Sequence, residues 1–206
     1  MKIGIIGAGN IGGNLTRRLT ALGHDVSVAN SRGPGTLTAL AEETGATPVK
    51  VEDAARDAEV VVVTVPLKAV PNLPHGLVDQ AAEGVAVIDT GNYYPKQRDG
   101  RIAAIEDEGL TESGWTARQI GHTVVKAFNG TYAQDILDRH RPAGAPDRLA
   151  GPALLIGLVL AGLWFFGQFR VEIPDLVAGP LDFVVLIALL ARAASDLYPR
   201  DRANLP

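Results

Sequence analysis

Three glycines open the chemistry of this chain. Gly7, Gly9 and Gly12 form the string Gly-Ala-Gly-Asn-Ile-Gly between the apolar run Lys2–Ile6 and the helically spaced Ile11, Leu15, Leu19 and Leu22. In that setting the first glycine permits a tight turn, and the second lets backbone approach a pyrophosphate. The third lets the helix sit close against its strand. The start of the helix, at Asn10 and Ile11, then offers unpaired N–H groups to phosphate oxygens. A second strand is expected at 26–29, and the residues that follow it select the dinucleotide. An NAD site would carry Asp or Glu there to accept the ribose 2′-OH. This chain carries Ala29-Asn30-Ser31-Arg32, and its Asp25 stands at the wrong end of the strand. Ser31 can donate a hydrogen bond to a 2′-phosphate and Arg32 can pair with it. The expectation is NADP(H).

Further polar groups fall where later strands end. Thr64-Val65-Pro66-Leu67-Lys68 closes the most apolar run, and Pro66 removes a donor and stiffens the turn. Asp89-Thr90-Gly91-Asn92 and Lys126-Ala127-Phe128-Asn129 close two more. Clusters at the C-terminal ends of parallel strands face the ligand crevice, although simple caps have the same composition. No Ser/His/Asp arrangement or acid–base pair emerges, and His75 and His122 read as surface or loop histidines. No catalytic side chain and no metal site is expected. Hydride transfer between two bound molecules fits such a site, because positioning supplies most of the catalysis.

The elements that must position these residues alternate. Strands are expected at Lys2–Ile6, 26–29, 47–51, 59–65, 85–88 and 123–127. Helices are expected at 10–22, 37–43 (closed by Gly45), 52–57, 73–82 and 132–139. The run Glu-Val-Val-Val-Val-Thr-Val at 59–65 is apolar on both faces, as a central parallel strand must be. The fold class is therefore α/β, a doubly wound parallel sheet of the Rossmann type. With 206 residues and 47% apolar content the chain can build a core, which excludes a disordered or fibrous protein. It has no cysteine, so disulfides, thiolate metal sites and thiol catalysis are excluded. A net charge of −4 argues against an electrostatic nucleic-acid binder.

The string 1–34, with Val-Val-Val-Val-Thr-Val-Pro-Leu-Lys at 60–68, Val-Ile-Asp-Thr-Gly-Asn at 87–92 and Val-Val-Lys-Ala-Phe-Asn at 124–129, resembles the NADPH-dependent coenzyme F420 reductase family. The resemblance spans 1–149. It implies hydride transfer between NADP(H) and the deazaflavin F420 as the small-molecule acceptor. It assigns Gly7, Gly9, Asn10, Ile11 and Gly12 to the pyrophosphate and Ser31 and Arg32 to NADP specificity. It assigns Val65, Pro66 and Lys68 to the nicotinamide side, and Asn92, Phe128 and Asn129 to the neighbourhood of the second cofactor. Two rival readings stay open. One is an NADP(H) sensor or scaffold without turnover, and the other is the NADPH-oxidising part of a membrane metalloreductase-like system.

Relatives of that family continue past 149 with more of the sheet, whereas this chain changes character. No charged residue lies between Arg148 and Arg170, a run that would reach about 31 Å as a helix. A second apolar run, 176–191, is broken only by Asp182. The division expected is a nucleotide-binding domain at 1–149, a linker near 139–150, and a two-helix hairpin within 150–206 that enters the lipid bilayer. Arg148, Arg192, Arg200 and Arg202 flank the hairpin, whose turn carries one Arg and two acids. The positive-inside bias then puts the nucleotide-binding domain on the cytoplasmic side of the membrane. A soluble helical pair that forms a homodimer, and a fusion without a selected role, remain the alternatives for this tail.

Overall fold

The computed structural model describes residues 1–139. The chain begins with β1 (Lys2–Ile6), α1 (Asn10–Ala21), β2 (Asp25–Ala29) and α2 (Thr38–Thr44). β3 (Thr47–Pro48), β4 (Val60–Val63) and β5 (Ala86–Asp89) follow. α3 (Ala103–Glu106), α4 (Glu112–Ile120), β6 (Val125–Lys126) and α5 (Asp135–Asp138) complete it. The six strands form one sheet in the order β3-β2-β1-β4-β5-β6 with every pairing parallel. This is the doubly wound order, and its reversal between β1 and β4 opens a crevice at the strands' C-terminal ends.

The strand period of two splits the core between the faces of the sheet. Ile3, Ile5, Val60, Val62 and Ile88 pack with Leu15 and Leu19 of α1 on one face. Ile6, Val61, Val63 and Val87 pack with Leu67, Val70, Trp115 and Ile120 on the other. All four β4 valines are buried, each contributing roughly 1.5–3 kcal/mol by leaving water. β1 sits between β2 and β4, with Ile5 opposite both Val28 and Val62. The glycine loop is thus mounted on the centre of the sheet.

The structure departs from the sequence expectations in particular places. No helix forms at 73–82. The chain after β4 makes a 3₁₀ segment, Leu67–Asn72, and then successive turns in which Asp79 N donates to Gly76 O and Ala81 N to Val78 O. Pro71 and Pro74 lack the N–H that an α-helix needs, and Gly76 sits at φ +67°. The helix at 52–57 is reduced to a 3₁₀ turn, Val51–Asp53, and β3 and β6 keep two residues each. α3, α4 and a π-helical turn at Pro95–Asp99 were not anticipated. α4 has plain end signals: Thr111 Oγ1 accepts from Gly114 N at 3.0 Å, and Gly121 follows in the left-handed region.

Among the described residues no helix is long and apolar enough to cross a membrane. Both apolar runs, the hairpin expected within 150–206 and nearly all of the expected linker lie outside the described residues.

Candidate functional site

The three glycines of the loop have three different physical reasons. Gly7 ends β1 at φ +106°, and a Cβ there would stand 2.3 Å from Thr64 O of the chain leaving β4. Its N–H donates to Ala29 O at 2.8 Å, carrying the β1–β2 ladder one step into the loop. At Gly12 a Cβ would lie 1.8 Å from Gly7 O, so α1 touches the loop backbone and tolerates no side chain. Gly9 differs: it is exposed, has φ −77°, and a Cβ there would meet nothing within 4 Å. Neither strain nor packing within the described residues requires glycine at this position.

Gly9 is also the residue that caps α1, and no side chain caps that end. Gly13 N returns to Gly9 O at 2.7 Å, while the N–H groups of Asn10, Ile11 and Gly12 have no acceptor among the described residues. The N-terminus of a twelve-residue helix therefore opens at the sheet's switch point with its donors and its positive dipole end free.

At the end of β2, Asn30 organises the turn. Its Oδ1 accepts from Arg32 N at 2.9 Å and its Nδ2 donates to Thr36 Oγ1 at 2.9 Å. Ser31 and Arg32 are exposed, and Arg32 has no ion-pair partner among the described residues. The turn thus fixes the backbone and leaves a hydroxyl and a guanidinium facing solvent.

The ends of β4, β5 and β6 are tied together by two buried carboxylates. Asp99 accepts from Lys68 N at 3.3 Å, from Tyr94 N at 2.8 Å, and from both Nε and Nη2 of Arg98 at 3.0 Å. Burial pushes its carboxyl up, but the Arg98 pair and the two backbone donors outweigh that and hold it below the ordinary aspartate range. Asp89, 2% exposed, accepts from Gly91 N at 2.8 Å and from Lys126 Nζ at 3.1 Å. Lys126 Nζ also reaches Glu112 Oε2 at 3.0 Å, and Glu112 Oε1 accepts from Tyr93 N at 3.2 Å. Asn92 Nδ2 donates to Asn129 O at 2.6 Å, and Asn129 Nδ2 to Asn92 Oδ1 at 3.4 Å. Between Lys126 and Asn129, Phe128 holds φ +63°, a costly conformation for an aromatic residue and one that tends to mark functional loops. Nearby, burial and then the hydrogen bond donated to Glu106 push the Tyr93 phenol up.

Residues 2–93 match the family described as NADP oxidoreductase coenzyme F420-dependent. That match spans less than half of the 206-residue chain. It contains the glycine loop, the end of β2, and the ends of β4 and β5, while β6 lies beyond it. The fold extends the likeness. A hypothetical protein of Sinorhizobium meliloti is 27% identical, with a TM-score of 0.56 over 76% of this chain and 80% of that one. A protein of Arthrobacter sp. FB24, provisionally described as an F420-dependent NADP-reductase, shares the fold at 22% identity. Its TM-score is 0.51 over 78% of this chain and 80% of its own. The erythronate-4-phosphate dehydrogenase of Salinibacter ruber is 38% identical over 108 residues, 50% of this chain. The match covers 27% of that relative's length.

The residues expected from the sequence divide by position. Gly7, Gly9, Asn10, Ile11 and Gly12 line the switch point, and Ser31 and Arg32 stand at the adjoining β2 end. Val65 Cγ1 lies 3.1 Å from where a Gly7 Cβ would be, so the β4 end abuts the loop. Pro66 caps the 3₁₀ segment, and both it and Lys68 are exposed, with Lys68 held through its backbone. Asn92 and Asn129 touch, with half-buried Phe128 beside them. Sequence reasoning missed Asp99 and Glu112. Neither lies on an expected element, and each acts on residues many positions away.

Proposed function

We propose that this chain is an NADP(H)-dependent oxidoreductase that exchanges a hydride between NADP(H) and a deazaflavin of the F420 type. The observation that carries the nucleotide half is Gly9. It is a glycine that no packing within the described residues explains, at the open N-terminus of α1, where a pyrophosphate would occupy the space beside the backbone. In this reading Gly7 shapes the turn, Gly9 leaves room for the pyrophosphate, and the free N–H groups of Asn10, Ile11 and Gly12 hold it. Ser31 and Arg32 take the 2′-phosphate, and the lack of a carboxylate beside them removes the group that would favour NAD.

Val65, Pro66 and Lys68 border the nicotinamide, and Asn92, Phe128 and Asn129 border the acceptor. NADPH would supply the hydride there, and one proton from solvent balances the two-electron reduction of a deazaflavin. The chain's own task would be to hold and orient both partners. The family description over residues 2–93 supports F420 as the acceptor. The apolar runs beyond Arg148 add to this proposal a lipid tether through 150–206, with 1–149 as the nucleotide-binding domain on the cytoplasmic side.

The test is a titration of the full chain in mild detergent with NADPH, then steady-state NADPH oxidation with F420 offered as acceptor. Tight NADPH binding with F420 reduction is expected. Binding with no turnover on F420, flavin or quinone would replace this reading by a nucleotide-sensing one. For the tether, the full chain should stay with the membrane fraction through an alkaline carbonate wash, and its release would refute the anchor.

A further inference from the structure

The juxtaposition of Lys126 at the end of β6 with two carboxylates leads further. Its ammonium lies 3.1 Å from Asp89 Oδ2 at the end of β5 and 3.0 Å from Glu112 Oε2 in the first turn of α4. Each carboxylate uses its other oxygen on the same short loop: Asp89 Oδ1 takes Gly91 N, and Glu112 Oε1 takes Tyr93 N. The residue between those two anchored amides is Asn92, whose carboxamide reaches across to Asn129, three residues beyond Lys126.

We propose that Lys126 is a positioning residue for the acceptor side of the site: it clamps Asp89 and Glu112 so that the loop between them presents Asn92 and Asn129 in one fixed geometry. The inference rests on the acceptor reading given above, and it assigns Lys126 a role for which the sequence had no specific expectation.

The chemistry selects lysine. A compact ammonium has three donors and can serve two carboxylates that approach from different elements. Asp89 is almost fully buried, so without a cation its charge is left with Gly91 N alone and pulls away from the position it now holds. The two amides then lose their fixed acceptors, and the Asn92–Asn129 pair loses the spacing of its supports. Phe128, held at φ +63° between Lys126 and Asn129, is part of the same constrained segment. The nucleotide side does not depend on the clamp. The glycine loop and the β2 turn are held by β1, β2, β4 and α1, and among the described residues no hydrogen bond or ion pair joins them to the side chains of Lys126, Asp89 or Glu112.

The test uses the full chain in mild detergent with Lys126→Met, which keeps much of the stem and removes the charge, and Lys126→Arg, which keeps the charge. Two readouts are taken: backbone amide exchange over residues 86–94, and calorimetric affinities for NADPH and for oxidised F420. Lys126→Met is expected to speed exchange at Gly91 and Tyr93 at least tenfold and to weaken F420 at least tenfold, with NADPH within twofold of wild type. Lys126→Arg is expected to recover part of both losses. Unchanged exchange in Lys126→Met would overturn the clamp whatever the acceptor is. Faster exchange with unchanged F420 affinity would overturn the positioning role. NADPH and F420 weakened equally would reduce Lys126 to a general stabilising residue and overturn it as well. Failure of the wild-type chain to bind F420 would be a failure of the acceptor reading instead, seen before any variant is made, and the exchange readout would still decide the clamp.

Discussion

Replacing Gly9 with serine should separate what the fold needs from what the ligand needs. At Gly9 the backbone is already in a region open to any residue, and a Cβ meets nothing within 4 Å. Serine is a better helix cap than glycine by a few tenths of a kcal/mol, so the ligand-free Tm should move by no more than about 1–2 °C. The new side chain fills the space a pyrophosphate would take and blocks at least one charge-assisted bond to a backbone N–H, worth roughly 1.5–3 kcal/mol. That corresponds to NADPH affinity weakened about 10- to 100-fold.

The assay is thermal unfolding with and without NADPH. Ligand at about 100 times the wild-type Kd adds roughly 2.7 kcal/mol of stability. A tenfold weaker variant should lose about 1.4 kcal/mol of that, some 3–5 °C of the ligand-induced shift. Gly12→Ala is the control. Its Cβ would stand 1.8 Å from Gly7 O and 2.7 Å from Thr64 Cγ2, so the helix must move. Roughly 1–3 kcal/mol should be lost before any ligand is added. A full NADPH-induced shift in Gly9→Ser, or a ligand-free Tm as low as that of Gly12→Ala, would refute the reasoning.

Arg32→Glu should weaken NADPH at least tenfold while leaving NADH within about twofold, because it sets a carboxylate where the proposed site would meet the 2′-phosphate. Equal losses in paired titrations would sink the specificity assignment. Asp99 titrates below its ordinary value in the folded chain, so its contribution is fully present above the unfolded aspartate pKa and fades as pH falls through the lowered one. Asp99→Asn should therefore flatten the acid limb of stability against pH while lowering Tm at neutral pH, and an unchanged acid limb would contradict this. Thr116 is fully buried in α4, and its hydroxyl has no hydrogen-bond partner among the described residues. Thr116→Val keeps the shape and should raise stability by about 1 kcal/mol in chemical denaturation, whereas a fall would mean that the hydroxyl has a partner elsewhere.

What was legible in the sequence is what short-range physics encodes. The glycine loop, β1, α1 and β2 lie within thirty positions, and each leaves a local mark in its spacing and its turn residues. Val60–Val63 announced a central strand by being apolar on both faces, and the sheet bears that out. α4 is equally marked, by Thr111 before it and Gly121 after it, although no helix was expected there. The apolar residues at 73–82 misled in the opposite sense: helical spacing is only permission, and Pro71, Pro74 and Gly76 withdraw it. The tertiary structure alone decided the far side of the crevice. Asp99 meets Lys68 across 31 positions, and Lys126 meets Asp89 across 37. No local pattern predicts such pairs, because a buried carboxylate's partner is chosen by which strand the sheet puts next to it. The sequence by itself could raise the expectation of a dinucleotide site at the glycine loop. Only the tertiary fold, which sets β6 beside β5 and brings α4 to their ends, could bring two carboxylates to one lysine and tie Asn92 to Asn129.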